Sequence, residues 1–350
     1  MKYVLSVICA AAAVILLISP EAVSEAVRVS AESCLEVVVP SLFAFTILAV
    51  YLQKSGLYRV ALRPITFPLS KLLRMDEELC AVFVLSNAGG YPVGAKLLSE
   101  LVAEGRLSRK NAGELLCFCF GSGPGFVIGI AGMKIFDSAK AGLALFGICF
   151  CSSLLIAAFM RTRCEFVLKE APERLAPNSG TLISSVSGAA RVMFTVCAMI
   201  TGFAAISAVL KKIGVYSLFG FVFGSDEILP ALLEVTRIRG VSSLNNVFVF
   251  CAALLSFGGV CVIMQIRAVA ADIPLKGFLI SRAAASVLSA LIALPFAKSF
   301  PPAAAETLAD GSAVEPFSKN AVLSICVLLM CAILLIDAGR SAYRGKTGGK

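Results

Sequence analysis

The chain has 350 residues, of which 59% are hydrophobic and 15% charged, with mean hydropathy +0.92 and a formal net charge of +9. It contains no histidine, which excludes histidine triads, histidine zinc sites and histidine proton relays. Its basic residues fall in short runs between apolar stretches, as in membrane-protein loops, and form no patch suited to nucleic acid. A polytopic all-α membrane protein is expected; weak two-residue alternation and abundant Leu and Ala argue against a β-barrel.

In chain order, residues 4–18 read as a first apolar helix between Lys2 and Pro20. Cleavage near Ser24-Glu25-Ala26 as a signal peptide is the alternative. Glu21, Glu25 and Glu32 against Arg28 mark an outer loop, and 35–52 a second span bent at Pro40. Lys54, Arg59, Arg63, Lys71 and Arg74 mark a cytoplasmic loop.

The apolar run over 79–85 leads into Ser86-Asn87-Ala88-Gly89-Gly90-Tyr91-Pro92-Val93-Gly94-Ala95-Lys96. Glycines and a proline in apolar surroundings predict two short helices meeting at an irregular tip. Arg106, Arg109 and Lys110 return the chain to the cytoplasmic side, so the segment reads as a re-entrant hairpin. Residues 112–132 read as a span unwound or kinked at Gly121-Ser122-Gly123-Pro124-Gly125, and 141–160 as the next span. A cytoplasmic linker with Pro172, Pro177, Asn178 and Gly180 follows.

The second half reads as a span over 191–210, a broken hairpin over 218–234 with Gly220, Gly224 and Pro230, and a span over 247–266 interrupted at Phe257-Gly258-Gly259. A span over 277–296, an acidic outer loop, a last span over 321–336 and a basic cytoplasmic tail complete it. The thirteen cysteines lie mostly in apolar stretches and form no CxxC, so they read as packing residues. No metal, cofactor or catalytic residue is expected.

Both halves repeat one order: span, broken hairpin, glycine-interrupted span, span. Pro92 and Gly121 are 29 residues apart, as are Pro230 and Gly259. Loop charges start the first half outside and the second inside, the pattern of inverted-repeat transporters whose broken segments meet at mid-membrane. Lys96 and Glu234 each follow a hairpin proline by four residues. Ionisable groups at membrane depth are commonly functional, with snorkelling or structural pairing as the alternative, and Lys96 and Arg237 are expected to neutralise a carboxylated solute. Arg237 suits solute or lipid phosphate equally. Asn87, Ser122, Thr236 and Gln265 offer neutral hydrogen bonds, and the breaks at Gly90-Tyr91, Gly123 and Gly258 offer backbone contacts. A small carboxylate is chemically plausible, while Glu234 suits equally a coupling proton or sodium ion, a hydroxyl or a ring nitrogen.

The run Gly90-Tyr91-Pro92-Val93-Gly94-Ala95-Lys96, the Gly121-Ser122-Gly123-Pro124-Gly125 motif, Leu233-Glu234-Val235-Thr236 with Gly240, and Phe257-Gly258-Gly259 resemble the nucleoside-recognition "gate" domain family. Within it the similarity is to the YlbJ (SpoVV) type of sporulation integral membrane protein, over roughly residues 35–300. The resemblance implies kinship with concentrative nucleoside transporters. It also implies a role in endospore formation: moving dipicolinic acid out of the mother cell across the outer forespore membrane. The expected organisation is a membrane helix and outer loop (1–33), a first gate repeat (34–160), a cytoplasmic linker (161–184), a second, inverted gate repeat (185–298), and an outer loop, last helix and basic tail (299–350), with both termini cytoplasmic. Expected partners are a small anionic solute such as dipicolinate, the lipid bilayer, and further copies or other sporulation membrane proteins. A nucleoside or ion transporter of the same fold, and a non-transporting scaffold, are the rival readings.

Overall fold

The computed structural model describes residues 14, 20–166, 168–169, 179–244 and 246–303. The expected helix over 4–18, the middle of the linker, the last span, the basic tail and both termini lie outside the described residues.

Helix α1 (Pro20–Ser33) occupies the stretch read as an outer loop. Proline opens a helix without losing a hydrogen bond. Arg28 then pairs with Glu25 at 2.6 Å and Glu32 at 2.5 Å, three and four residues away. The charges that suggested a loop are spaced to support a helix. A π-turn over Cys34–Val38 joins α1 to α2 (Val39–Ser55), so the bend expected at Pro40 lies just ahead of it. Proline cannot donate to the preceding turn, and a one-residue slip accommodates that loss. The cation-rich loop is also helical, as α3 (Tyr58–Ala61) and α4 (Arg63–Leu73); α4 buries Thr66 and Leu73 and exposes Ile65, Phe67 and Leu72.

The first hairpin forms as the glycines predict. Asp76 caps α5 (Glu77–Gly89) by accepting from the Glu78 amide at 2.7 Å. Gly90 alone makes the turn, at φ 93°, and α6 (Tyr91–Ala103) packs back on α5. The single span expected over 112–132 is instead two helices, α7 (Arg109–Leu116) and α8 (Pro124–Ile135). The chain between them is not helical, because three glycines surround Ser122 and Pro124.

Helix α9 (Ala139–Met160) matches its expected span; α10 (Ser179–Lys212) is longer than expected and takes in the end of the linker. The second broken segment consists of α11 (Val215–Phe223), α12 (Ile228–Leu233) and a 3₁₀ stretch over Val235–Ser243. Its break lies at Glu234, with extended φ −143° and ψ 110°, whereas Pro230 sits inside α12. Proline is tolerated in a first turn, so it marks the start of this helix and not the tip. Lys96, one and a half turns into α6, and Glu234, at the break itself, therefore occupy unlike positions.

Helices α13 (Val247–Phe257) and α14 (Gly259–Val269) meet at Gly258, φ 89°, and α15 (Lys276–Ala293) continues in a 3₁₀ turn to Ser299.

Four helical stretches among the described residues are long and apolar enough to cross a membrane: Ala139–Met160, Ser179–Lys212, Val247–Val269 and Lys276–Ser299. The Val247–Val269 stretch is the central one, with 61% of its apolar window buried against 33–39% for the others. It packs on α9 and α15 through α13, and on α6 and α10 through α14. The outer faces of α9, α10 and α15 expose Leu143, Phe159, Phe194, Ile280 and Val287. So much exposed apolar surface suits hydrocarbon and not water. This all-helical architecture is that of a polytopic membrane protein.

Candidate functional site

The interrupted segments of both halves converge on one cavity. It is lined by Gly90, Tyr91 and Pro92 from the hairpin tip, Ser122 and Phe126 from the first unwound stretch, Glu234, Val235 and Thr236 from the second break, and Val262 and Gln265 from α14. Val38 and Leu42, with Val196 and Ile200 of α10, close the apolar side. The cavity volume is about 40 Å³, room for about three waters.

Gly90 shapes the tip. A side chain at φ 93° is strained, and a Cβ there would fall 2.8 Å from Leu42 Cδ2. The tip also packs on the first unwound stretch, since a Cβ on Gly123 would lie 3.1 Å from Gly90 Cα. The second half repeats the relationship: a Cβ on Gly259 would lie 3.1 Å from the Leu232 carbonyl oxygen and 3.5 Å from Val235 N. In each half, then, a glycine of the interrupted helix receives the break of that half's preceding segment.

Glu234 is the one charged residue among those lining the cavity, and it is 4% exposed. Its Oε1 accepts from the Thr236 amide at 2.9 Å, and its Oε2 from the Thr236 hydroxyl. It forms no salt bridge among the described residues. The carboxylate is thus held by the N-terminus of the 3₁₀ stretch. Two other helices begin at the cavity, α6 at Tyr91 and α8 at Pro124. Helix N-termini carry partial positive charge, so these two ends offset part of the negative charge that Glu234 brings to a cavity lined by no Lys or Arg.

Six of the eleven residues singled out from the sequence line this cavity: Gly90, Tyr91, Ser122, Glu234, Thr236 and Gln265. Tyr91 donates its hydroxyl to the Leu255 carbonyl at 2.9 Å, joining the tip to α13. Ser122 Oγ is buried without a hydrogen-bond partner among the described residues, and is thus a group a ligand can satisfy. Gln265 Nε2 makes a 3.4 Å contact to Cys261 Sγ. Asn87, Gly123 and Gly258 sit behind the wall. Asn87 Nδ2 donates to the Phe83 carbonyl at 2.9 Å, and a Cβ on Gly258 would fall 2.6 Å from Phe120 Cζ. Arg237 follows the lining residue Thr236 but does not line the cavity itself.

Lys96 lies elsewhere. Its Nζ is 2.7 Å from Glu100 Oε1, while Lys54 Nζ is 3.0 Å from Glu100 Oε2, so one carboxylate ties α2 to α6 through two lysines. Four residues after Pro92 on a helix is more than a turn from the tip, which carries Lys96 away from the cavity.

Two buried arginines are absent from the residues singled out. Arg106 is paired with Glu78, and Arg282 is 1% exposed inside α15. The signal for Arg282 was present, as an isolated cation within an apolar span.

The chain is 32% identical over 146 residues to the "Sporulation integral membrane protein YlbJ" of Bacillus subtilis (strain 168). The match covers 41% of this chain and 35% of that protein's length. The similarity to the YlbJ type therefore holds over 41% of the chain. No family model matches the chain, and no solved structure does.

Proposed function

We propose that this protein is a sporulation membrane transporter that carries a small carboxylated solute through the cavity between its interrupted helices. Dipicolinic acid leaving the mother cell across the outer forespore membrane is the solute to which the YlbJ similarity points. The observation that carries the reading is the convergence of two helical N-termini, the Ser122 hydroxyl and Gln265 on one site, beside a third N-terminus that the Glu234 carboxylate caps. Amide-rich helix ends recognise carboxylates without a cationic side chain. The two halves would form inverted repeats in which the hairpin tips rearrange around the solute. The like glycine–break contacts of Gly123 in the first half and Gly259 in the second support that arrangement. Nothing in the cavity resembles a catalytic constellation, and the reading is non-enzymatic.

On this reading the segments at Gly90 and Glu234 rearrange around the solute as it passes. The Glu234 carboxylate, the one charged side chain among the lining residues, favours a second reading, transport of a small cation. Uptake of labelled dipicolinate into proteoliposomes tests the first reading. Saturable uptake by the wild type, lost on Glu234→Gln, is expected. No dipicolinate uptake together with gradient-driven sodium or proton flux would replace it with the second. Absence of all transport in folded protein would leave a membrane scaffold.

A further inference from the structure

The cavity's two interrupted helices end on a common cation. Arg282 Nη1 donates to the Ser256 carbonyl at 3.2 Å, and Nη2 to the Cys117 carbonyl. Cys117 is the C-cap of α7, where the first-half helix unwinds, and Ser256 lies in the last turn of α13, where the second-half helix breaks at Gly258. Both carbonyls belong to the set that a helix end leaves without an internal partner. The guanidinium also lies 4.5 Å from the Phe120 ring centroid and 5.5 Å from that of Phe278.

A buried cation is unfavourable unless its charge is matched. No carboxylate forms a salt bridge with Arg282 among the described residues. Two helix C-termini supply what a carboxylate would: each carries roughly half a negative charge, so together they offset one guanidinium. The planar fork places two N–H donors on two separate acceptors, which the compact ammonium of lysine does less well. Phe120, stacked under the guanidinium, also lies 4.9 Å centroid to centroid from Tyr91 in the cavity wall.

We infer that Arg282 is the positioning residue that couples the two helix interruptions, so that displacement of one is transmitted to the other. This deepens the transport reading by naming the element that makes the two halves move together. Arg282 itself does not line the cavity.

The test is amide hydrogen exchange of the full-length protein in lipid nanodiscs, read without solute, with wild type and Arg282→Lys compared. Loss of a charge-assisted bond at each helix end should raise exchange at 117–123 and at 256–260 together, by at least about tenfold. The interior of α9 should exchange as before, which a general loss of stability would not allow. A rise at only one of the two stretches, at neither, or evenly through the fold overturns the inference. If the lysine variant does not fold, Phe278→Leu, which removes a ring 5.5 Å from the guanidinium, lies in neither stretch and keeps the cation, must show the same paired rise, and its absence also overturns the inference. In uptake measurements Arg282→Lys should lower turnover with KM little changed. Exchange needs no solute, so failure of dipicolinate uptake in the wild type counts against the transport reading and leaves the coupling standing.

Discussion

Glu78 and Arg106 close the open end of the α5–α6 hairpin with two parallel hydrogen bonds, Arg106 Nη1 to Glu78 Oε1 and Nη2 to Oε2, each 2.7 Å. Tyr58 adds a third bond to the same carboxylate at 3.0 Å, and both charged side chains are buried. The far end of the hairpin, at Gly90, has no ion pair among the described residues; there the Tyr91 hydroxyl holds the tip to the Leu255 carbonyl at 2.9 Å.

Removing Arg106 leaves Glu78 a buried charge without its counter-ion, held by the Tyr58 hydroxyl. Arg106→Ala is expected to destabilise the protein by about 3–5 kcal/mol. Replacing both, as Glu78→Gln with Arg106→Met, should cost clearly less. Thermal unfolding in a fixed detergent checks the order of the two. Equal losses would mean that the pair adds nothing beyond packing.

Gly90→Ala places a Cβ on left-handed backbone and against Leu42. Strain of this kind costs about 1–3 kcal/mol. Uptake should fall further than stability does, because the tip is a wall of the cavity. Uptake and melting temperature measured on one preparation separate the two effects.

Glu234→Gln keeps an acceptor for the Thr236 amide while removing the carboxylate charge. The fold is expected to survive, with transport reduced at least about tenfold, as a loss of about 1.4 kcal/mol at the site would give. A variant that transports as wild type would reduce Glu234 to a helix cap.

Lys96→Ala discriminates between a solute ligand and a structural ion pair. Glu100 keeps Lys54 at 3.0 Å, so the loss should be about 1 kcal/mol or less in stability. Uptake should remain within about twofold of wild type, because Lys96 does not line the cavity. A KM raised many-fold instead would place Lys96 on the solute path in a conformation with the tips parted.

Composition and apolar run length by themselves determined that the chain is an all-helical membrane protein, since hydrocarbon leaves few other ways to satisfy a backbone. Local chemistry also determined where helices stop. Gly90, the glycines around Ser122, and Gly258 interrupt their helices through conformational freedom that needs no tertiary context. Where charge alone was read, the outcome depended on spacing: Glu25, Arg28 and Glu32 build a helix in a stretch that their excess of negative charge marks as a loop. Tertiary structure decided which polar groups share a site. Lys96 and Glu234 have like sequence offsets from a proline that opens a helix, yet α12 ends at Leu233 while α6 runs on to Ala103, so only Glu234 sits at a break and reaches the cavity. It likewise decided the partners of Arg282: the Cys117 carbonyl is 165 residues away in the chain, and an orphan carbonyl has no side chain by which sequence could reveal it.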